Sequence, residues 1–331
     1  MQLYRLRRRE VISLLGGGAA AWPLAARGQQ TATPVIGYLS ALSEKQAVPQ
    51  LNAFRRGLSE TGFIEGNNVQ VEYRWTEGQY QRLPAMAAEL IGLPVSLIVA
   101  QAPPAALAAK AATTIIPIVF VVGFDPVGSG LVASLNKPGG NATGMTLISV
   151  ALGQKRLEIV RDILPKASVV AMLANPLSPD AIPEIGSVQA GAGPLGFQLV
   201  MFNASTAGGI EAAFAAIAAR KPDALLVGTD PFFVDQRANI VARAANLRIP
   251  AIYPFRQYAT AGGLISYGTN LEASYRQAGI YTGRILAGAK PADLPVMQPA
   301  TFELVINLRT AKALGFEIPV TLHARSDEVI E

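Results

Sequence analysis

The chain has 331 residues, half of them hydrophobic and 15% charged, with 28 basic against 23 acidic side chains, one His and no Cys. That length favours two medium-sized domains over one. The absence of Cys excludes disulfides and a Cys-linked lipid anchor, and a single His leaves a transition-metal site short of ligands.

The first 28 residues differ from the rest. Arg7, Arg8 and Arg9 precede the weakly hydrophobic stretch "VISLLGGGAAAWPLA", and Ala26 and Gly28 stand where small residues precede a signal-peptidase cut. This predicts an export signal over 1–28, with a short uncleaved anchor as the alternative. The arginines followed by "EVIS" resemble a twin-arginine signal, although Val11 replaces the usual Phe. Removing 1–28 leaves 23 basic and 22 acidic groups, so the net charge falls from +5 to +1. The basic balance belongs to the signal, and it gives no support for nucleic-acid or polybasic membrane contacts.

From residue 34 the pattern alternates. "VIGYL" predicts a buried strand, and "QLNAFRRGLSETG" a helix with Leu51, Phe54 and Leu58 on one face and Gly62 at its end. "VQVEYRW" predicts a strand covered on one face. A helix near 80–91, the strand "VSLIVA", an Ala-rich helix after Pro103 and Pro104, and the strand "IVFVV" follow. "NKPGGNATGMT" (136–146) is turn-rich and predicts the end of the first unit. A second series then runs through a helix at 154–164, "SVVAML", a helix after Pro183, "FQLVMF", a helix at 209–220, "ALLVG", one helix at 233–246, "AIY", a short helix and "LISYG". Two such series imply two parallel-sheet domains. A helix at 271–287 and "TFELVINL" remain, and are expected to return across the two earlier units.

Enzyme signatures are missing: no dinucleotide fingerprint, no P-loop, no nucleophile elbow. His323 lies in a polar tail segment and is expected to be solvated. No metal or other cofactor is expected. In open parallel sheets ligands gather at the carboxyl ends of strands. Those positions are Ser40, Gln101, Gly123, Asp125, Asn175, Asn203, Asp230 and Tyr253. Asp125, Asn175 and Asp230 each precede a Pro, the form of an N-cap with Pro at N1. A helix start facing a cleft favours a carboxylate, and an Asp not consumed by capping would attract an ammonium group, so a zwitterion is the expected ligand. Asp230 is the residue expected to reach it. Tyr38, Phe124, Phe232, Phe233, Tyr253 and Tyr258 supply aromatic surface near the same edge, for packing or for one or two stacking contacts.

The runs "FDPVGSGLVASLNKPGGNATGMT", "TDPFF", "IPAIYPFRQYATAGGLISYG" and "FELVINLRTAKALGFEIPVTLHARSDEVIE", with "NP" at 175, resemble the ABC-transporter substrate-binding protein family that includes tryptophan- and tyrosine-binding members. The resemblance covers nearly the whole chain. It implies the type I periplasmic binding protein fold, α/β with two doubly wound parallel-sheet lobes joined by hinge crossovers. The expected lobes are 32–146 with about 268–298, and 147–267 with about 299–331, hinged near 145–146 and 267–268. It further implies a periplasmic monomer without catalytic activity that delivers a small solute to an inner-membrane permease with its ATPase. A ligand sensor reporting to a membrane receptor stays open as the alternative. Ligand contacts carried over by position are Ser40, Gln101 and Asp125 on the first lobe, and Asn175, Asp230 and Tyr253 on the second. Two places depart from the family's pattern: "AQAP" (100–103) where small Thr or Gly residues are common, and Phe124 where many members have Gly before Asp-Pro. Phe124 would narrow the pocket or offer a stacking face.

Overall fold

The computed structural model describes residues 33–331, and the export segment read over 1–28 lies outside the described residues. The first sheet holds β1 (Val35–Ser40), β2 (Gln70–Trp75), β3 (Leu97–Gln101), β4 (Ile118–Val122) and β5 (Ala142–Thr146), all parallel, in the order β2-β1-β3-β4-β5. Helices α1 (Glu44–Ser59), α2 (Leu83–Ile91) and α3 (Pro103–Ala112) connect them. The central strands are apolar up to the polar residues Ser40 and Gln101 at their carboxyl ends, because each is buried on both faces. Leu97, Val99, Val119 and Val121 face one core; Ile98, Ala100, Ile118, Phe120 and Val122 face the other. The edge strand β2 is only half-buried, as its alternating sequence predicts.

The second series runs α4 (Gly153–Ile163), β6 (Val169–Ala174), α5 (Ala181–Ala192), β7 (Gln198–Asn203), α6 (Ala207–Arg220), β8 (Ala224–Val227), α7 (Pro231–Asp235), α8 (Arg237–Asn246), β9 (Ala251–Tyr253), α9 (Arg256–Thr260) and β10 (Ile265–Thr269). Helix α10 (Leu271–Leu286) then returns to the first lobe and packs along α1. The contact is close enough that a Cβ on Gly57 or Gly279 would strike backbone of the facing helix. The tail contributes β11 (Phe302–Asn307), α11 (Leu308–Leu314), α12 (Val320–His323) and β12 (Glu328–Ile330), and the second sheet reads β12-β11-β10-β9-β8-β6-β7. Two α/β lobes joined by crossings result, the arrangement that the resemblance implied. Among the described residues no helix is long and apolar enough to cross a membrane.

Three local expectations need correction. The turn-rich stretch 136–146 contains the strand β5, whose five residues are all buried. Its small residues suit a strand pressed against β4: a Cβ on Gly144, at φ +156°, would lie 2.0 Å from the Phe120 carbonyl oxygen. The single helix expected at 233–246 is two, broken at Gln236 (φ −89°, ψ 9°). Finally, the second sheet is not purely parallel, because β11 runs antiparallel to β10.

Passages between the sheets follow β5, follow β10 and precede β11, and they lie together. Thr146 N–H donates to the Met297 carbonyl at 2.9 Å, and the Thr269 hydroxyl donates to the Leu147 carbonyl at 2.6 Å. Arg156 on α4 is fully buried beside them, donating from Nε to the Tyr267 carbonyl at 3.0 Å and from Nη2 to the Ser149 carbonyl at 3.3 Å.

Candidate functional site between the lobes

The carboxyl ends of both sheets face one cavity of ≈ 50 Å³. Its first-lobe wall includes Leu42, Gln50, Pro103 and Gly123; its second-lobe wall includes Asp180, Thr229, Asp230 and Phe255; Leu147 and Leu271 lie where the chain crosses, and Tyr275 comes from α10. The surface is largely apolar, and the polar groups in it are few and distinct in what they touch.

Asp230 ends the loop after β8 and caps α7. Its Oδ1 accepts from Phe233 N–H (3.2 Å) and from Asn175 Nδ2 (3.1 Å), and its Oδ2 accepts from the Tyr80 hydroxyl (2.7 Å). Tyr80 precedes α2 on the first lobe, so this last bond spans the lobes. The same hydroxyl accepts from Phe232 N–H at 3.0 Å. Asp235, one turn on, reaches Ser43 of the first lobe, accepting from its N–H at 3.2 Å and its hydroxyl at 3.3 Å. Burial pushes both carboxyl groups up to about 6, against the pull of these donors. The lobes are therefore closed on each other through two carboxylates of α7 and its cap.

Asp180 differs. It is 1% exposed, immediately precedes α5 without capping it, and neither carboxylate oxygen has a hydrogen-bond partner. It faces the cavity and crosses to the first lobe: a Cβ on Gly123 would lie 2.6 Å from its Oδ2. Burial raises its pKa well above the carboxylate range, and the nearby Glu184 and Asp230 push the same way. Glu184, one turn into α5, is satisfied: it takes Arg156 Nη1 at 2.8 Å, Thr229 N–H at 2.7 Å and the Thr229 hydroxyl at 3.0 Å. The buried Arg156–Glu184 pair thus ties the lobe crossings to the cavity wall at Thr229. Gln50 Oε1 is a second buried acceptor in the wall without a partner.

Of the six contacts expected from sequence, only Asp230 lines the cavity. Ser40 and Gln101 sit just behind it, paired to each other: the Ser40 hydroxyl donates to Gln101 Oε1 at 2.6 Å and accepts from Leu42 N–H at 3.0 Å. Gln101 Nε2 is buried without a partner. Asn175 is also one step back, holding Asp230 and accepting from Leu177 N–H at 3.1 Å in a turn rather than capping a helix. Asp125 is exposed, and its carboxylate accepts from Val127 N–H at 2.9 Å; no helix follows it. Tyr253 points into the second lobe's core and stacks on Tyr258, with centroids 4.9 Å apart. Phe124 neither narrows the cavity nor stacks in it, because it packs into the first lobe's core. The aromatic surfaces in the wall are Phe255 and Tyr275, which strand-end reasoning missed, as it missed Asp180 and Tyr80. For Asp180 a signal existed, an acid in "SPDAIP" at a helix start, but it reads as an ordinary cap.

The chain is similar to a tyrosine-binding protein of Clostridioides difficile (strain R20291), 30% identical over 266 residues, 80% of this chain and 76% of that one. A Streptococcus pneumonia ABC domain solved in complex with L-Trp superposes with a TM-score of 0.82 at 25% identity, over 90% of this chain and 100% of that one. The ligand-free, open form of a Clostridium difficile substrate-binding protein with adhesive properties superposes with 0.63 at 26% identity, over 90% and 99% of the two chains. At nearly equal identity the complex fits better than the open form, in keeping with the bonds from Tyr80 to Asp230 and Ser43 to Asp235. A sequence model of the ABC transporter substrate binding protein family matches residues 37–330, almost everything described, and the chain belongs to that family.

Proposed function

We propose that this protein is an exported, non-catalytic solute-binding protein that closes its lobes around a small, largely apolar, ammonium-bearing solute of amino-acid-like size. It would hand that solute to an inner-membrane permease driven by a separate ATPase, acting as a monomer in the periplasm. The observation that carries the reading is Asp180: a fully buried carboxylate with both oxygens free, aimed into a cavity between lobes. Such a group costs several kcal/mol unless a counter-charge or proton accompanies it, and an ammonium group satisfies it. The relatives that bind tyrosine or hold L-Trp support the solute's size and its amine. The lobes would be 32–146 with about 268–298 and 147–267 with about 299–331, rotating about the clustered crossings near Thr146 and Gly268. The arrangement of the two sheets supports that division.

A thermal-shift screen against amino acids, amines and small carboxylates tests the binding, since a ligand at 100 times its Kd stabilises by about 2.7 kcal/mol. The expected result is a rise in Tm with at least one ammonium-bearing compound on an apolar body. A rise only with compounds that lack an ammonium group would contradict the role given to Asp180.

A further inference from the structure

The cavity's charge balance narrows the solute beyond amino-acid-like size; the argument rests on the proposed interlobe binding. Two carboxylates line it, Asp180 and Asp230, and no Lys, Arg or His does. A zwitterion needs a partner for its carboxylate as well as for its ammonium, and a helix start is the usual one in such clefts. Here four helix starts at the cavity have N–H groups missing or already committed. Helix α3 opens with Pro103 and Pro104, which have no N–H to offer. In α7, Pro231 is first, Phe232 N–H goes to Tyr80 and Phe233 N–H goes to Asp230. In the first turn of α5, Ala181 N–H goes to the Ser178 carbonyl, Pro183 has no N–H, and Glu184 N–H goes to the Asp180 carbonyl. At α10, Asn270 accepts from Ala273 N–H through Oδ1 and from Ser274 N–H through its carbonyl. Thr229 has both its N–H and O–H committed to Glu184, which leaves the neutral Tyr275 hydroxyl as the wall's other O–H.

By contrast, acceptors for a cation stand unused: both Asp180 oxygens and Gln50 Oε1, all buried. We propose that the solute is a protonated amine on an apolar body with no free carboxylate, held at its nitrogen by Asp180 with Gln50, its body lying against Leu147, Phe255 and Tyr275. A carboxylate brought into this cavity would lose its water and gain no cation.

Calorimetric titration of the purified protein with matched pairs tests this: L-tyrosine and tyramine, L-phenylalanine and 2-phenylethylamine, L-leucine and 3-methylbutylamine, with 3-phenylpropionate as the acid lacking the amine. The expected result is that at least one amine binds tenfold or more tightly than its amino acid, and that 3-phenylpropionate does not bind. If an amino acid binds more tightly than its amine, the inference fails while interlobe binding of an ammonium compound stands. If 3-phenylpropionate binds and the amines do not, or if no compound of the set binds, both fail. The comparison is made on the unaltered protein, so it does not depend on how a variant folds.

Discussion

Asp180 and Asp230 are both buried and both border the same cavity, yet their oxygens meet different surroundings. Asp230 is held by a backbone N–H, an amide and a phenol; Asp180 by nothing. The first is a structural group of the closed molecule, serving as helix cap and as acceptor of a bond across the lobes. Tyr80 is the donor of that bond, and Tyr80→Phe would leave Asp230 Oδ2 and Phe232 N–H short of a partner in the closed form. The unmet groups cost about 1–3 kcal/mol each at most. Because the loss falls on the closed form, Tyr80→Phe should weaken solute affinity by about tenfold and enlarge the radius of gyration of the ligand-free protein in solution scattering. Unchanged affinity and unchanged radius would show that the bond does not hold the lobes together.

At the scale of elements, periodicity in the sequence carries most of the architecture. Runs such as "IVFVV" are apolar because they lie between two helix layers, and Leu51, Phe54 and Leu58 share the buried face of α1. What escaped were features set by tertiary contact: the buried strand hidden in "ATGMT", the one-residue break at Gln236, and the antiparallel pairing of β11. The site was legible to the same degree. Strand ends do border the cavity, but side-chain direction alternates along a strand, which sends Tyr253 into the core, and a turn leaves Asp125 in solvent. Asp180 belongs to a loop before a helix, and Tyr275 to a helix that returns to the first lobe far along the chain, so neither is marked by its own strand. Gly123, at the end of β4, is where an element boundary meets the opposite lobe. Gly123→Ala would place a methyl group 2.6 Å from Asp180 Oδ2. The Asp180 carboxylate must then swing away from Gly123, and because it is the group assigned to the solute's nitrogen, affinity should fall at least tenfold while the Tm of the ligand-free protein changes little. Full affinity in this variant would mean that the position of Asp180 against Gly123 is not required.

For the whole molecule, closure buries carboxyl groups whose pKa values rise: Asp230 and Asp235 to about 6, with Asp180 and Glu184 also raised. A group with a raised pKa in the folded state contributes stability that is complete below its unfolded value and lost as pH climbs through the folded one. For Asp230 that window runs from about pH 4 to about pH 6, and a shift of about two units corresponds to about 2–3 kcal/mol. The ligand-free protein should therefore melt several degrees higher at pH 5 than at pH 7, and Asp230→Asn should flatten the difference. A Tm that is constant or rises over that range would show that these carboxyl groups are not buried as described. A cationic solute works in the opposite sense, because pairing with Asp180 requires the ionised carboxylate and releases its proton.

That pairing is tested most directly by titrating the wild-type protein and Asp180→Asn with the tightest solute from the thermal-shift screen, alongside melting curves showing that both are folded. If Asp180 holds the solute's ammonium, the variant loses at least tenfold in affinity, about 1.4 kcal/mol, while its ligand-free Tm stays the same or rises, since a buried unpaired acid has been removed. Equal affinity in the two folded proteins would contradict the assignment.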